Sequence, residues 1–229
     1  MSDEQLHLID PVAPLTRADA RQRLNAYLEQ DLRTLADEHG VTVWKNGALN
    51  KGWAGHVVER LLGLSPNADQ RPDFGDWELK VVPLVMTSSG GVSVKESMSV
   101  TMFTEAHILD TEFEQSHLLE KLRRLLLVGR FYIDGSESSS PLVAVREFDL
   151  GRGALYDAIR ADYEDVRWTV RTEGVYGVHG RIGRLVQPRV KGGAGAGYQG
   201  HGFYARSCLV SHLLGLSDCL AAQNAGGGG

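Results

Sequence analysis

Apolar residues in the first quarter of the chain recur at helical spacing, which predicts two helices. The first is expected over residues 16–39, where leucines recur every three or four positions at Leu24, Leu28, Leu32 and Leu35. The second is expected over residues 52–62, where one apolar stripe consists of Trp53, Val57, Val58, Leu61 and Leu62. Gly40 and Gly63 follow these segments, and glycine is typical of helix ends.

The middle of the chain alternates between patterns of strands and patterns of helices. Valine-rich and leucine-rich runs predict a hairpin with strands at 77–86 and 92–104 and a turn at 88–91. Leucines interleaved with charges predict a helix over residues 116–128. Further strands are expected at about 130–134, 141–147 and 184–190, and further helices at 153–165 and 207–216. This alternation favours an α/β fold.

Length and composition fit a single globular domain over residues 1–229. The chain is 42% hydrophobic and 23% charged, and no apolar run approaches the roughly 20 residues of a membrane span. The acidic N-terminus differs from a secretory signal, and Cys208 and Cys219 have neither zinc-site nor redox-motif spacing. We therefore expect a cytoplasmic protein with reduced thiols and no membrane partner. A glycine-dense loop at 192–197 is expected to be mobile, and a tail at about 220–229 to be disordered.

The charge is distributed unevenly along the chain. A net charge of −5 argues mildly against a nucleic-acid partner, because phosphate binding requires a basic surface. Between residues 167 and 206, however, Glu173 is the only acid among seven basic residues, which are Arg167, Arg171, Arg181, Arg184, Arg189, Lys191 and Arg206. This segment fits a DNA-facing surface and a solvated cationic face equally well.

Polar residues at the start of the first expected strand suggest a metal-dependent nuclease. Alternate residues of a strand share a side, so Glu78 and Lys80 should project together. Asp73, from the preceding loop, could join Glu78 to bind Mg²⁺ through oxygen atoms. A metal there would polarise a phosphodiester and activate water, while Lys80 would position that water or stabilise the developing charge. The same spacing on a surface strand would instead indicate a cross-strand salt bridge.

Five segments of the chain contain motifs in a consistent order. The most specific segments contain Lys51-Gly52-Trp53-Ala54-Gly55 and Pro72-Asp73-Phe74 followed by Trp77-Glu78-Leu79-Lys80. The others cover residues 114–124, 185–191 and 202–205. Together these segments resemble the MutH family of DNA endonucleases, which includes GATC-cutting type II restriction enzymes. The resemblance implies a restriction-endonuclease-like mixed sheet flanked by helices. It also implies a DNA cleft between a catalytic lobe at about 41–135 and a recognition part at about 165–216.

The resemblance assigns catalytic roles to four residues and Mg²⁺ as the cofactor. Asp73, Glu78 and Lys80 would form the centre, with Asp73 and Glu78 as metal ligands and Glu59 as an auxiliary acid. The interval between Asp73 and Glu78 is two residues shorter than in the family pattern, so Asp76 is the alternative ligand.

The candidate DNA contacts come from the third family segment and from the basic part of the chain. They are Lys121, Arg123, Arg124, Arg184, Arg189, Lys191, Tyr204 and Arg206. Three histidines are interpreted as structural or surface residues, namely His56, His117 and His201. The expected function is Mg²⁺-dependent cleavage of double-stranded DNA by a type II restriction enzyme at a GATC-like site, acting as a homodimer. The alternatives are a strand-nicking repair endonuclease with a MutL-like partner, and a catalytically silent DNA-binding module.

Overall fold

The computed structural model describes residues 15–63, 75–191 and 200–221. Asp73, the glycine-dense loop at 192–197 and nearly all of the expected disordered tail lie outside these ranges. The helices in the described ranges are α1 Arg17–Asn25, α2 Leu32–Glu38, α3 Trp53–Leu61, α4 Glu105–Asp110, α5 His117–Arg123, α6 Ala154–Glu173 and α7 Ser207–Leu213. The strands are β1 Trp44–Lys45, β2 Ala48–Leu49, β3 Glu78–Met86, β4 Val92–Val94, β5 Met98–Phe103, β6 Arg124–Phe131, β7 Leu142–Asp149, β8 Val186–Lys191 and β9 Gly200–Ala205.

A four-stranded mixed sheet and a three-stranded antiparallel sheet form the scaffold. The first has the order β4-β3-β6-β7, and its β3 and β6 are parallel. The second has the order β5-β9-β8, and β1 and β2 form a separate small ribbon. The predicted α/β class, a mixed sheet flanked by helices, is confirmed.

The mixed sheet separates two hydrophobic clusters because successive side chains of its strands point to opposite faces. Leu79, Leu126 and Val128 pack in a cluster with residues of α1, α2 and α3. The other face contributes to a larger cluster through Val82, Leu84, Leu125 and Leu127. Glu78 and Lys80 have the parity of Val82, so they lie on the side of the larger cluster.

The helix expected over 16–39 is two helices, so that prediction is wrong. The chain leaves α1 after Asn25, and Glu29 adopts a left-handed φ of 68°. Asp31 then caps α2, with its side chain accepting a hydrogen bond from Arg33 N. In this turn the backbone N–H of Glu29 donates to Leu142 O at 2.7 Å, so tertiary pairing overrides the helical pattern.

Two further secondary-structure predictions fail in the middle of the chain. The helix expected over 116–128 ends at Arg123, and β6 begins at Arg124 because Leu125–Val128 are buried on both faces of the sheet. The strand expected over 92–104 divides into β4 and β5, which belong to different sheets. The pattern did not predict β9, whose glycines are unusual in strands, or the short helix α4.

The longest described helix, α6, fixes the start of strand β8. It continues to Glu173, beyond the predicted end at 165. Its buried Asp162 carboxylate accepts hydrogen bonds at 2.7 Å from the backbone N–H groups of Arg184, Leu185 and Val186. Neither this helix nor any other in the described ranges combines the length and apolar character needed to span a membrane.

Candidate active site

Glu78 lies at the first position of β3 and is 1% exposed. The Lys80 ammonium donates a hydrogen bond to its Oε1 atom at 2.5 Å. The two side chains therefore share a face, as strand alternation requires. The pair is within one strand rather than across two strands.

A second lysine reaches the same carboxylate. Lys121 Nζ donates to Oε1 of Glu78 at 3.0 Å and to Oε2 at 3.2 Å, and the residue is 6% exposed. The register of β3 and β6 explains this position. Glu78 pairs with Leu125, which follows Lys121 by four residues, so the last turn of α5 lies beside the start of β3.

The sequence analysis placed Lys121 among the DNA contacts, whereas the structure places it beside Glu78. The residue is buried, so it is not positioned as a surface phosphate contact, and we reassign it to the candidate catalytic centre. The sequence contained a signal for this position, because Lys121 follows the apolar Leu118 by three positions and residues three apart share one face of a helix. In the structure both residues lie on the buried face of α5.

The three groups carry one negative and two positive charges when all are ionised. Burial penalises each charge, and the hydrogen bonds to both carboxylate oxygens offset part of that cost. The remaining positive charge suits an anionic ligand. A phosphate group would satisfy it without removing either lysine from Glu78.

A cavity of about 300 Å³ opens beside β3 and contains two further acids. Its lining includes Lys80, Leu79 and Val81 of β3, Glu59 of α3, and Glu96 from the segment between β4 and β5. Space is available here because β4 pairs with β3 only at Leu84–Met86. Glu59, which lies off the apolar stripe of α3, is thereby brought to the same cavity as Lys80.

The carboxylates in and next to this cavity suit a hard divalent cation. Glu59 lines the cavity, and Glu78 is connected to it through Lys80. Carboxylate oxygens are ligands that Mg²⁺ prefers. Asp73 lies outside the described residues. Asp76, the alternative ligand, is 68% exposed and forms an ion pair with Arg124.

Arg123 and Arg124 line a different cavity of about 550 Å³, together with Gly75, Asp76, Glu120 and residues 114–116. Arg124 is the first residue of β6 rather than part of a helix, and its Nε lies 3.7 Å from Asp149 Oδ1. Arg123 is exposed at the end of α5. Both basic groups therefore lie next to the segment that leads into Glu78.

The exposed end of β8 carries two of the predicted DNA contacts. Arg189 and Lys191 are exposed, and the Arg189 guanidinium lies 5.2 Å from the ring centroid of Tyr204 on β9. This distance permits a cation–π contact, which would orient both side chains. Arg184 is also exposed and lines a shallow cavity beside Trp168.

Two arginines of the basic segment form hydrogen bonds with other groups of the protein. Arg206 donates to the carbonyls of Gly180 at 2.8 Å and Gly183 at 3.1 Å, which closes the turn before β8. Arg167 is buried and donates to both carboxylate oxygens of Glu112, at 2.6 and 2.7 Å. These hydrogen bonds lower the pKa of Glu112 and raise that of Arg167. The charge available to a polyanion is therefore smaller than the sequence suggested.

The three histidines interpreted as structural or surface residues occupy different environments. His56 lines the cavity that contains Glu59. His117 Nδ1 lies 3.0 Å from Glu120 Oε2, and its ring packs edge-on against His107. His201 is buried in β9 against Phe103, and burial lowers its pKa.

Comparisons with known proteins agree on one family. Residues 62–150 match the family model described as "DNA mismatch repair enzyme MutH". The DNA mismatch repair protein MutH of Vibrio cholerae is 27% identical over 224 residues, covering 88% of this chain and 96% of its own. The MutH protein of Haemophilus ducreyi is 23% identical over 190 residues, covering 79% of each chain. The chain is therefore similar to MutH endonucleases over most of its length, which supports a MutH-like endonuclease family.

Proposed function

We propose that this protein is a Mg²⁺-dependent endonuclease that hydrolyses phosphodiester bonds of duplex DNA during mismatch repair. The observation that carries the proposal is the buried Glu78 carboxylate held between Lys80 and Lys121. This cluster adjoins a cavity that also contains Glu59. It combines metal-binding oxygens with cations beside a cavity, which is the requirement for stabilising a phosphoryl transition state.

In this proposal Asp73, Glu78 and Glu59 supply oxygen atoms to the metal site. Mg²⁺ bound there would act as a Lewis acid on the scissile phosphate. Lys80 and Lys121 compensate the negative charge that accumulates on the phosphate oxygens. Lys80 also lines the cavity, so it is the residue that would orient the attacking water.

The relatives favour a repair enzyme over the restriction enzyme that was the first expectation. The named proteins are mismatch repair proteins, and the similarity extends over most of each chain. A repair role implies cleavage of one strand and recruitment by a MutL-like partner, whereas a restriction role implies cleavage of both strands by a homodimer. A supercoiled plasmid distinguishes them, because a nicking enzyme converts it to open circles before any linear product appears.

The catalytic assignment is tested with Glu78→Gln and Lys121→Met. We expect each variant to lower the rate of plasmid nicking in Mg²⁺ by at least about 100-fold, because each removes charge from the reacting centre. Binding of a labelled duplex in Ca²⁺ should persist, and Glu38→Gln, at an exposed acid on α2, should cut normally.

Measuring cutting and binding together separates the competing functions. Near-normal nicking by Glu78→Gln would refute this centre. A wild-type protein that binds duplex DNA and does not cut with Mg²⁺ would indicate the silent DNA-binding module instead.

A further inference from the structure

Three chemically different side chains meet near the C-terminal end of the described chain. His212 is in the last turn of α7, and the chain reverses after it through Gly215, whose φ is 71°. The reversal brings Asp218 and Cys219 back to the helix. The potential ligand atoms of all three residues lie within 4.8 Å of one another, and His212 Nδ1 is 3.4 Å from Asp218 Oδ1.

This cluster is separate from the candidate active site. None of its residues lines the cavity beside β3. Within residues 15–63, 75–191 and 200–221, it is the only group of three or more His, Cys, Asp or Glu side chains with this mutual spacing. The spacing of the two cysteines did not predict it, because the histidine that completes the group comes from the fold rather than from a Cys-based motif.

The donor set differs in kind from that around Glu78. An imidazole nitrogen, a thiolate sulfur and a carboxylate oxygen suit Zn²⁺ and related transition metals, whereas Mg²⁺ prefers oxygen ligands alone. We propose that His212, Asp218 and Cys219 bind one transition-metal ion of the Zn²⁺ class. Asp218 is 58% exposed in its side chain, so an ion could reach the three ligand atoms from solvent.

Neighbouring residues restrain the position of each of the three potential ligands. Cys219 is 4% exposed and packs in the larger hydrophobic cluster, so its sulfur is held in place. The His212 ring lies edge-on to Phe148 with centroids 6.3 Å apart, which limits its rotation. The Asp218 carboxylate accepts a hydrogen bond from Leu220 N at 2.9 Å, which fixes the returning turn.

Metal binding at this site would be coupled to proton release. Binding breaks the S–H bond of Cys219, forms the sulfur–metal bond and releases the proton to solvent. Metal affinity should therefore increase with pH, since the ion competes with this proton.

A bound ion would restrain the C-terminal end of the described chain. A bound ion would connect residues 218–221 to α7, which carries Leu209, Val210 and Leu213 into the larger cluster. An ion that binds only the folded form raises its stability. The proposal concerns a structural site and is independent of the proposed nuclease activity.

Co²⁺ titration of the full chain in excess Mg²⁺ tests the site directly. The wild-type protein should bind about one equivalent and show a thiolate-to-cobalt charge-transfer band that Zn²⁺ abolishes. Cys219→Ala and His212→Asn should lose the band and weaken Zn²⁺ binding by at least about tenfold. Cys208→Ser, which removes the exposed thiol, and Glu78→Gln, which alters the other centre, should keep the band.

The controls also identify a failure of the proposal. Because Cys219 is buried, folding of its variant is first checked by circular dichroism. If Cys219→Ala does not fold, His212→Asn alone tests whether the site binds metal. Absence of the band in the wild type, or Zn²⁺ binding that persists in His212→Asn, would overturn the site. The cluster would then be an ion pair between His212 and Asp218 beside a buried thiol.

Discussion

Two aspartates precede Glu78 in the sequence, and they should contribute differently to catalysis. Asp76 is mostly exposed and is paired with Arg124, an arrangement that contributes about 0–1 kcal/mol to stability. Asp73 lies in the Pro72-Asp73-Phe74 segment that resembles the family's catalytic motif. We therefore expect Asp73→Asn to abolish Mg²⁺-dependent cutting, and Asp76→Asn to change it by less than about threefold. Initial nicking rates at saturating Mg²⁺ measure both, and the reverse order would make Asp76 the ligand.

The sequence alone predicted the positions of some residues of the candidate centre and not of others. The two-residue period of a strand was sufficient to place Glu78 and Lys80 on one side. Lys121 required the parallel register of β3 and β6, which connects parts of the chain 43 residues apart. Local pattern carries no information about such a register. The residue was therefore assigned to the surface although its position on α5 is buried.

At the scale of elements, the buried leucine run explains the largest error in secondary structure. Leu125–Val128 lies between both hydrophobic clusters, so the usual alternation of a strand with one solvated face is absent. The run therefore continued the apolar spacing of the preceding helix. The strands with mixed polarity, β3 and β7, were predicted within two residues of their bounds.

The connection between α6 and β8 depends on one carboxylate, so its loss should destabilise the protein. In Asp162→Asn one oxygen becomes an NH₂ group, which cannot accept a hydrogen bond from the backbone N–H groups that now face it. We expect the free energy of unfolding to fall by about 2–4 kcal/mol. Urea denaturation measures the change, with Asp165→Asn, exposed one turn along the helix, as the control. Equal stability of the two variants would show that this anchor is dispensable.

At the scale of the whole molecule, contacts within the protein change the meaning of the charge pattern. Arg167 and Arg206 were counted toward a DNA-binding surface, yet Arg167 pairs with Glu112 and Arg206 donates to backbone carbonyls. The exposed cations at the end of β8 remain. Charge along the sequence therefore overestimated the number of cations that are available to a polyanion in this segment.

The exposed end of β8 should account for part of the affinity for DNA. We expect Arg189→Ala and Lys191→Ala each to weaken duplex binding, because each removes an exposed cation. A residue that contacts only phosphate should reduce the salt dependence by about one counterion, equally for all sequences. A residue that reads a base should matter mainly for the preferred site. Fluorescence anisotropy across a salt series measures this, and Lys45→Ala provides an exposed control on β1. Unchanged affinity in both variants would place the interface elsewhere.

The contact between Lys121 and Glu78 also has a consequence for folding kinetics. It forms only when two strands far apart in sequence have found their parallel register, because α5 leads directly into β6. Closing such a large loop costs chain entropy before any pairing energy is gained, so contacts of this type form slowly. During refolding, nuclease activity should therefore recover no earlier than the pairing of β3 with β6. Local structure in α3 and α5, whose contacts are close in sequence, can form sooner.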